Sequence, residues 1–182
     1  MSSKQRFEHT PRANRGDEER TVAASRARMN EMVMPNDTNP LGKLMGGRLL
    51  QWMDICSAIS AQRHSNRNVV TVAVDSVEFR SAIALGELVV IEGEVTRTFT
   101  TSMEVAMQAW AENLRTGERR LCTTSFYTFV AVDEGGEPVE VPEIIPQTEF
   151  EIERYEQASD RRQMRLKVSK QTEEAHKKSK KE

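Results

Sequence analysis

Asp54 is a lone carboxylate in an apolar stretch. From Gly46 to His64 almost every other position is apolar or small, including Leu49, Leu50, Trp52, Met53, Ile55 and Ile59. The pattern predicts one helix, apolar on nearly all sides and therefore buried. Asp54 falls on its stripe Leu50, Asp54, Ala58. An unpartnered carboxylate there costs several kcal/mol. Two readings fit: Asp54 caps or pairs with a neighbour, or it holds a water and serves as general base.

Gly46 and Gly47 open the same helix. Without side chains they let a ligand approach the backbone. The first amides of a helix lack internal partners, so they are ready donors for a carbonyl oxygen gaining negative charge. A double glycine serves tight packing equally well. Gly47 and Asp54 are about two turns apart, roughly 10 Å along the axis. The Asp54 side chain leans back toward the helix start, so one substrate can meet both. Ahead of the helix runs a polar loop, Pro35 to Gly42. Asp37 and Asn39 offer polar groups there, or plain turn chemistry.

Other chemistries find no support. The histidines are His9, His64 and His176, two of them in the polar ends. His64 and Arg63 close the helix, where positive charge suits the dipole. Cys56 and Cys122 are far apart with apolar or small neighbours, and read as buried thiols in a reducing compartment. No metal-ligand spacing, phosphate loop or dinucleotide fingerprint occurs. A net charge of −2 draws the chain to neither nucleic acid nor an anionic membrane. The first twenty residues lack the apolar run of a secretory leader, and no stretch is long enough for a membrane span. The expected location is cytoplasmic.

These groups must be positioned by the elements around them. Residues 1–21 are charged and read as a disordered arm. Residues 147–182 read as a charged, partly helical tail, with Phe150, Ile152, Tyr155 and Met164 forming a weak face. The working domain is 22–146. After the helix come four strand-like segments: 68–79, 87–97, one around Met103 to Ala109, and Leu121–Val132. A further strand ends at Val33-Met34, stopped by Pro35. One buried helix among antiparallel strands needs a curved sheet around it, an α+β arrangement. With only one crossover-type helix, a doubly wound parallel sheet is excluded.

Asp37-Thr38-Asn39, Gly46-Gly47 and Leu50-Gln51-Trp52-Met53-Asp54, with Val69-Val70-Thr71 and Thr101-Ser102-Met103-Glu104-Val105, resemble the acyl-CoA thioesterase branch of the hotdog superfamily. The resemblance covers roughly 22–146. Ala111-Glu112-Asn113-Leu114 and Thr116-Gly117-Glu118-Arg119 look especially like its YkhA-type members. It implies a hotdog fold, homodimers and often trimers of dimers, with acyl-CoA as substrate and no cofactor beyond the coenzyme A carried by substrate and product. It implies catalytic roles for Asp54 and Asn39, contributed by different subunits or repeats. Substrate-binding roles follow for Gly46, Gly47 and Thr71, and, by position, for Arg80 and Arg97 toward the CoA phosphates. Two places depart from the family pattern: Phe79-Arg80-Ser81-Ala82 lacks a usual proline, and Phe99 replaces a usual glycine. A non-catalytic acyl-CoA-binding module is the alternative. A dehydratase would have only His64 to serve it.

Overall fold

The computed structural model describes residues 20–179. The arm expected over residues 1–21 lies outside the described residues except for Arg20 and Thr21. Thr21 caps helix α1 (Val22–Ser25), its side chain accepting from the Ala24 amide. Arg20 offers its carbonyl to the Ile145 amide.

The apolar run forms α2 (Gly46–Ser65). It ends where Asn66 turns left-handed at φ 53° and donates to the Gln62 carbonyl. Leu49, Met53, Cys56 and Ser60 recur at helical spacing and are buried. Here the structure differs from expectation. Gln51 is exposed and Ile55 is 44% exposed, so one flank of α2 is uncovered. A single chain's sheet covers only one side of the helix.

That sheet has five antiparallel strands in the order β1-β3-β4-β5-β2: β1 (Ala27–Met32), β2 (Asn68–Phe79), β3 (Leu88–Thr98), β4 (Ser102–Glu112) and β5 (Arg119–Val132). All five strands touch α2. The inward side chains, Val89, Ile91 and Val95 of β3, Met103, Val105 and Met107 of β4, and Tyr127 and Phe129 of β5, meet the helix in one core. The predicted strands and helix all occur. β1 stops slightly early, but Val33 still bonds across to the Glu87 carbonyl before Pro35 opens a 3-10 turn, Pro35–Asp37.

β2 is an edge strand, paired with β5 alone and broken by irregularities at Thr71/Ala73 and Asp75/Glu78. Along it Val70, Val72 and Val74 are each more than 40% exposed, Val70 on the outer face opposite Val130 and Val74 on the inner face opposite Tyr127.

The expected charged tail proves to be a long helix, α3 (Glu149–Ser179), and its first half docks on the sheet's outer face. The contact is ionic and aromatic rather than greasy, which is why apolar periodicity undervalued it. Glu104 of β4, fully buried, accepts from Nε and Nη2 of Arg161 at 3.0 and 2.7 Å and from the Thr96 hydroxyl at 2.6 Å. Arg161 also lies over the Phe126 ring at 3.9 Å.

Candidate active site

Asp54 is half-buried on the flank of α2 nearest β2. Its Oδ1 accepts the Thr71 hydroxyl at 2.8 Å. Among the described residues no cation pairs with it. Thr71, expected to touch substrate, donates its hydroxyl to the carboxylate.

The start of α2 lies on the same flank. Met45, the cap residue, is extended and supplies no side-chain bond. Arg48 and Leu49 donate to the Met45 carbonyl. Among the described residues the amides of Gly46 and Gly47 find no acceptor. A Cβ on Gly47 would meet nothing within 4 Å, whereas one on Gly46 would come 3.1 Å from the Phe79 ring. The Cα of Gly47 therefore faces open space, and Gly46 sits beneath the Phe79 ring at the end of β2.

Asp37 fixes the preceding loop to the helix. Its Oδ1 accepts from Arg48 Nε at 2.7 Å and its Oδ2 from the Met34 amide at 3.0 Å. These bonds, Arg48 first, hold its carboxyl below the usual range, against the opposing pull of burial. Arg48 also donates to Gln51 and lies over the Trp52 ring. Asn39 uses its side-chain oxygen within the loop, accepting from Leu41 and Lys43 at 3.0 and 3.1 Å, so its NH2 is the group left to meet a ligand. No hydrogen bond joins Asn39 to Asp54 within the chain.

Arg80 follows β2 beside Phe79, exposed and bonded to Glu78. Arg97 is not brought to this site. It lies under α3 on the opposite face of the sheet, 4.1 Å from the Tyr155 ring and donating to the Tyr155 carbonyl. Its bulge-shifted register turns it outward, opposite Glu104. A cavity of about 630 Å³, lined by Arg26, Arg28, Glu92, Glu94 and Arg154 among others, opens on that face too and not beside Asp54.

Sequence reasoning missed Tyr127. Its hydroxyl donates to the Leu50 carbonyl at 3.3 Å, one turn before Asp54. Burial, and secondarily the Asp54 charge, pushes its phenol pKa well up, so it stays a neutral donor. In a strand rich in Thr, Phe and Tyr, no sequence signal marked it. His64 is buried with Nε2 2.8 Å from the Pro142 carbonyl, a structural role.

The thioesterase superfamily model matches residues 41–118. The uncharacterized acyl-CoA thioester hydrolase YkhA of Bacillus subtilis is 44% identical over 143 residues, 79% of this chain and 80% of that protein. The chain belongs to the acyl-CoA thioesterase family. A solved hexameric acyl-CoA thioesterase is 46% identical with a TM-score of 0.79, over 82% of this chain and 96% of that one. The acyl-CoA hydrolase of Staphylococcus aureus, solved with butyryl coenzyme A, coenzyme A and coenzyme A disulfide, is 34% identical with a TM-score of 0.78, over 85% of this chain and 96% of that one. It has also been solved with an aspartate, a threonine or an asparagine replaced by alanine. The thioesterase fold here, one helix held by a five-stranded antiparallel sheet, is the hotdog. Among the described residues no cluster could hold a metal ion, and no helix is long and apolar enough to cross a membrane.

Proposed function

We propose that the chain hydrolyses fatty acyl-CoA to free fatty acid and free CoA, with Asp54 as general base. The observation that carries this reading is the carboxylate itself: unpaired with any cation among the described residues, held at one oxygen by Thr71, and two turns from an open glycine amide. Its second oxygen is left for a water. That water attacks the thioester carbon as its proton passes to Asp54. The carbonyl oxygen becomes negative and takes donors from the Gly46–Gly47 turn. Collapse breaks the carbon–sulfur bond, and the leaving thiolate recovers the proton from Asp54.

Asn39 orients the water or the carbonyl from a second copy of the chain. The free β2 edge offers the contact. Val74, paired with inward-facing Tyr127 and 43% exposed, forms with Ile55 of α2, 44% exposed, an apolar border beside Asp54. Two-fold pairing of β2 with β2 covers the border and closes an acyl tunnel between subunits. Three such dimers make a hexamer, the assembly size in which the hexameric relative was solved. The asparagine, aspartate and threonine replaced in the Staphylococcus enzyme stand fifteen and seventeen residues apart. Asn39, Asp54 and Thr71 repeat those spacings, which supports giving the three one site. Arg80, at the helix-start end of β2, meets the CoA phosphates. Two free, buried cysteines suit a reducing compartment, and we place the enzyme in the cytoplasm.

The test is release of free thiol from acyl-CoAs from acetyl to stearoyl. Release by the wild type, lost in Asp54→Asn, supports the reading. Binding of acyl-CoA without thiol release leaves a non-catalytic binding module in its place.

A further inference from the structure

Helix α3 crosses its own sheet and then leaves it. Its contacts follow the strand order. Glu151 meets Arg26, just ahead of β1, and Arg154 meets Glu94 of β3. Arg161 meets Glu104 of β4 and lies over Phe126 of β5. Arg165 pairs with Asp75 of β2. The lengths agree. Four strand spacings make about 19 Å, and Glu151 to Arg165 rises about 21 Å. At Arg165 the helix has reached the last strand. All side chains from Leu166 to Thr172 are exposed, while the helix continues to Ser179, about 20 Å farther.

A helix segment this short is marginal by itself in water. It also prolongs the docking face. Leu166 lies about three turns beyond Tyr155, and Val168 about two turns beyond Arg161. They are 46% and 60% exposed because this chain's sheet has ended beneath them.

We propose that Leu166–Ser179 lies across the outer face of a second copy's sheet, with Val168 against that copy's Val70. This rests on the β2-edge pairing of the proposed function. Val70 belongs to the outer face: it pairs with Val130, the neighbour of inward-facing Phe129, and is 46% exposed. Antiparallel pairing centred between Val72 and Ala73 sets Asp75 of one copy opposite Val70 of the other. A helix that passes over the first then passes over the second. Two-fold symmetry makes the contact reciprocal, so each chain clasps the other.

The test keeps the full chain. Val168→Cys protein and tagged Val70→Cys protein are mixed, allowed to exchange and treated with a short bismaleimide; native Cys56 and Cys122 are buried. A cross-linked species containing one of each chain is expected. Leu166→Glu combined with Val168→Glu should raise the dimer dissociation constant by about tenfold or more in sedimentation. An unchanged dissociation constant with no 70–168 cross-link overturns the clasp and leaves the β2-edge pairing standing. Loss of hexamers to intact dimers, again without the cross-link, also overturns it and gives the segment to a neighbouring dimer. A wild-type chain monomeric at every concentration overturns clasp and edge pairing together.

Discussion

Thr71 Oγ1 lies 2.8 Å from Asp54 Oδ1, so the edge strand holds the helix carboxylate by one hydrogen bond. This separates two roles by kinetics. Asp54→Asn should lower kcat by ~10²-fold or more with the fold intact. Thr71→Val removes one bond to a charged group, for a loss of roughly 10- to 100-fold in kcat with KM little changed. Thr71→Ser should keep most of the rate. Steady-state thiol release checks all three. A Thr71→Val enzyme with normal kcat and raised KM would make Thr71 a substrate contact instead.

Gly47 and Gly46 should respond differently to alanine. At Gly47 the added Cβ meets nothing, so helix propensity raises stability by up to about 1 kcal/mol. The methyl also stands beside the amide proposed to polarise the thioester, so kcat/KM should fall. At Gly46 the Cβ presses on the Phe79 ring at 3.1 Å, and the stability gain shrinks or reverses. Thermal unfolding and thiol release on the same samples give both readouts. A fully active Gly47→Ala enzyme removes that amide from the mechanism.

Much of this was legible in the sequence. Alternation in Met103–Ala109 and the apolar run from Gly46 marked β4 and α2, because burial imposes its period, whereas Val70, Val72 and Val74 alternate yet stay exposed. Asp54 stood out as a charge among apolar neighbours. What stayed hidden depends on partners distant in sequence. The Thr71–Asp54 bond joins a strand to a helix, and Tyr127 reaches Leu50 from the far end of the domain. Arg97 looked available for phosphate, but a bulge between Val95 and Arg97 sets which way it faces. The docking of α3 rests on Glu104, Arg161 and Asp75, residues whose charges read as solvated until paired. The uncovered flank at Ile55 shows the reverse limit: apolar composition does not say whether the chain's own sheet covers a residue.

Acid should weaken the fold through two carboxylates. Asp37 is held below its ordinary 3.8 by Arg48 and the Met34 amide. Glu87 is held below its ordinary 4.5 by Arg120, which bonds it at 2.6 and 2.7 Å, and by the Ala84 amide. A carboxyl depressed by folding adds stability that is complete above its unfolded pKa. That stability drains away as pH falls through the folded value. The contribution should be level from neutral pH to about 5 and fall below about 4. Urea midpoints measured against pH check this. Asp37→Asn with Glu87→Gln should be less stable at neutral pH and show a shallower acid slope. A double variant as acid-sensitive as wild type assigns the loss to other groups.

The Glu104–Arg161 pair should be costly to break and cheap to replace. Glu104 is fully buried, and Arg161 supplies two of its hydrogen bonds. Arg161→Met strands the carboxylate against the sheet and should cost about 3 kcal/mol or more. It should also loosen α3, seen as faster amide exchange along Glu149–Arg165. Glu104→Met alone leaves a guanidinium that swings to solvent, since Arg161 is 21% exposed, so its cost is smaller. Changing both to Met exchanges a buried ion pair for apolar packing under Phe126 and should recover most of the stability, because the pair's attraction is largely spent on its own desolvation. The double variant is thus more stable than Arg161→Met, although it carries one more substitution. Urea denaturation of the three variants decides it: if the two losses simply add, Glu104 and Arg161 stabilise the dock independently and the pairing does not hold α3 in place.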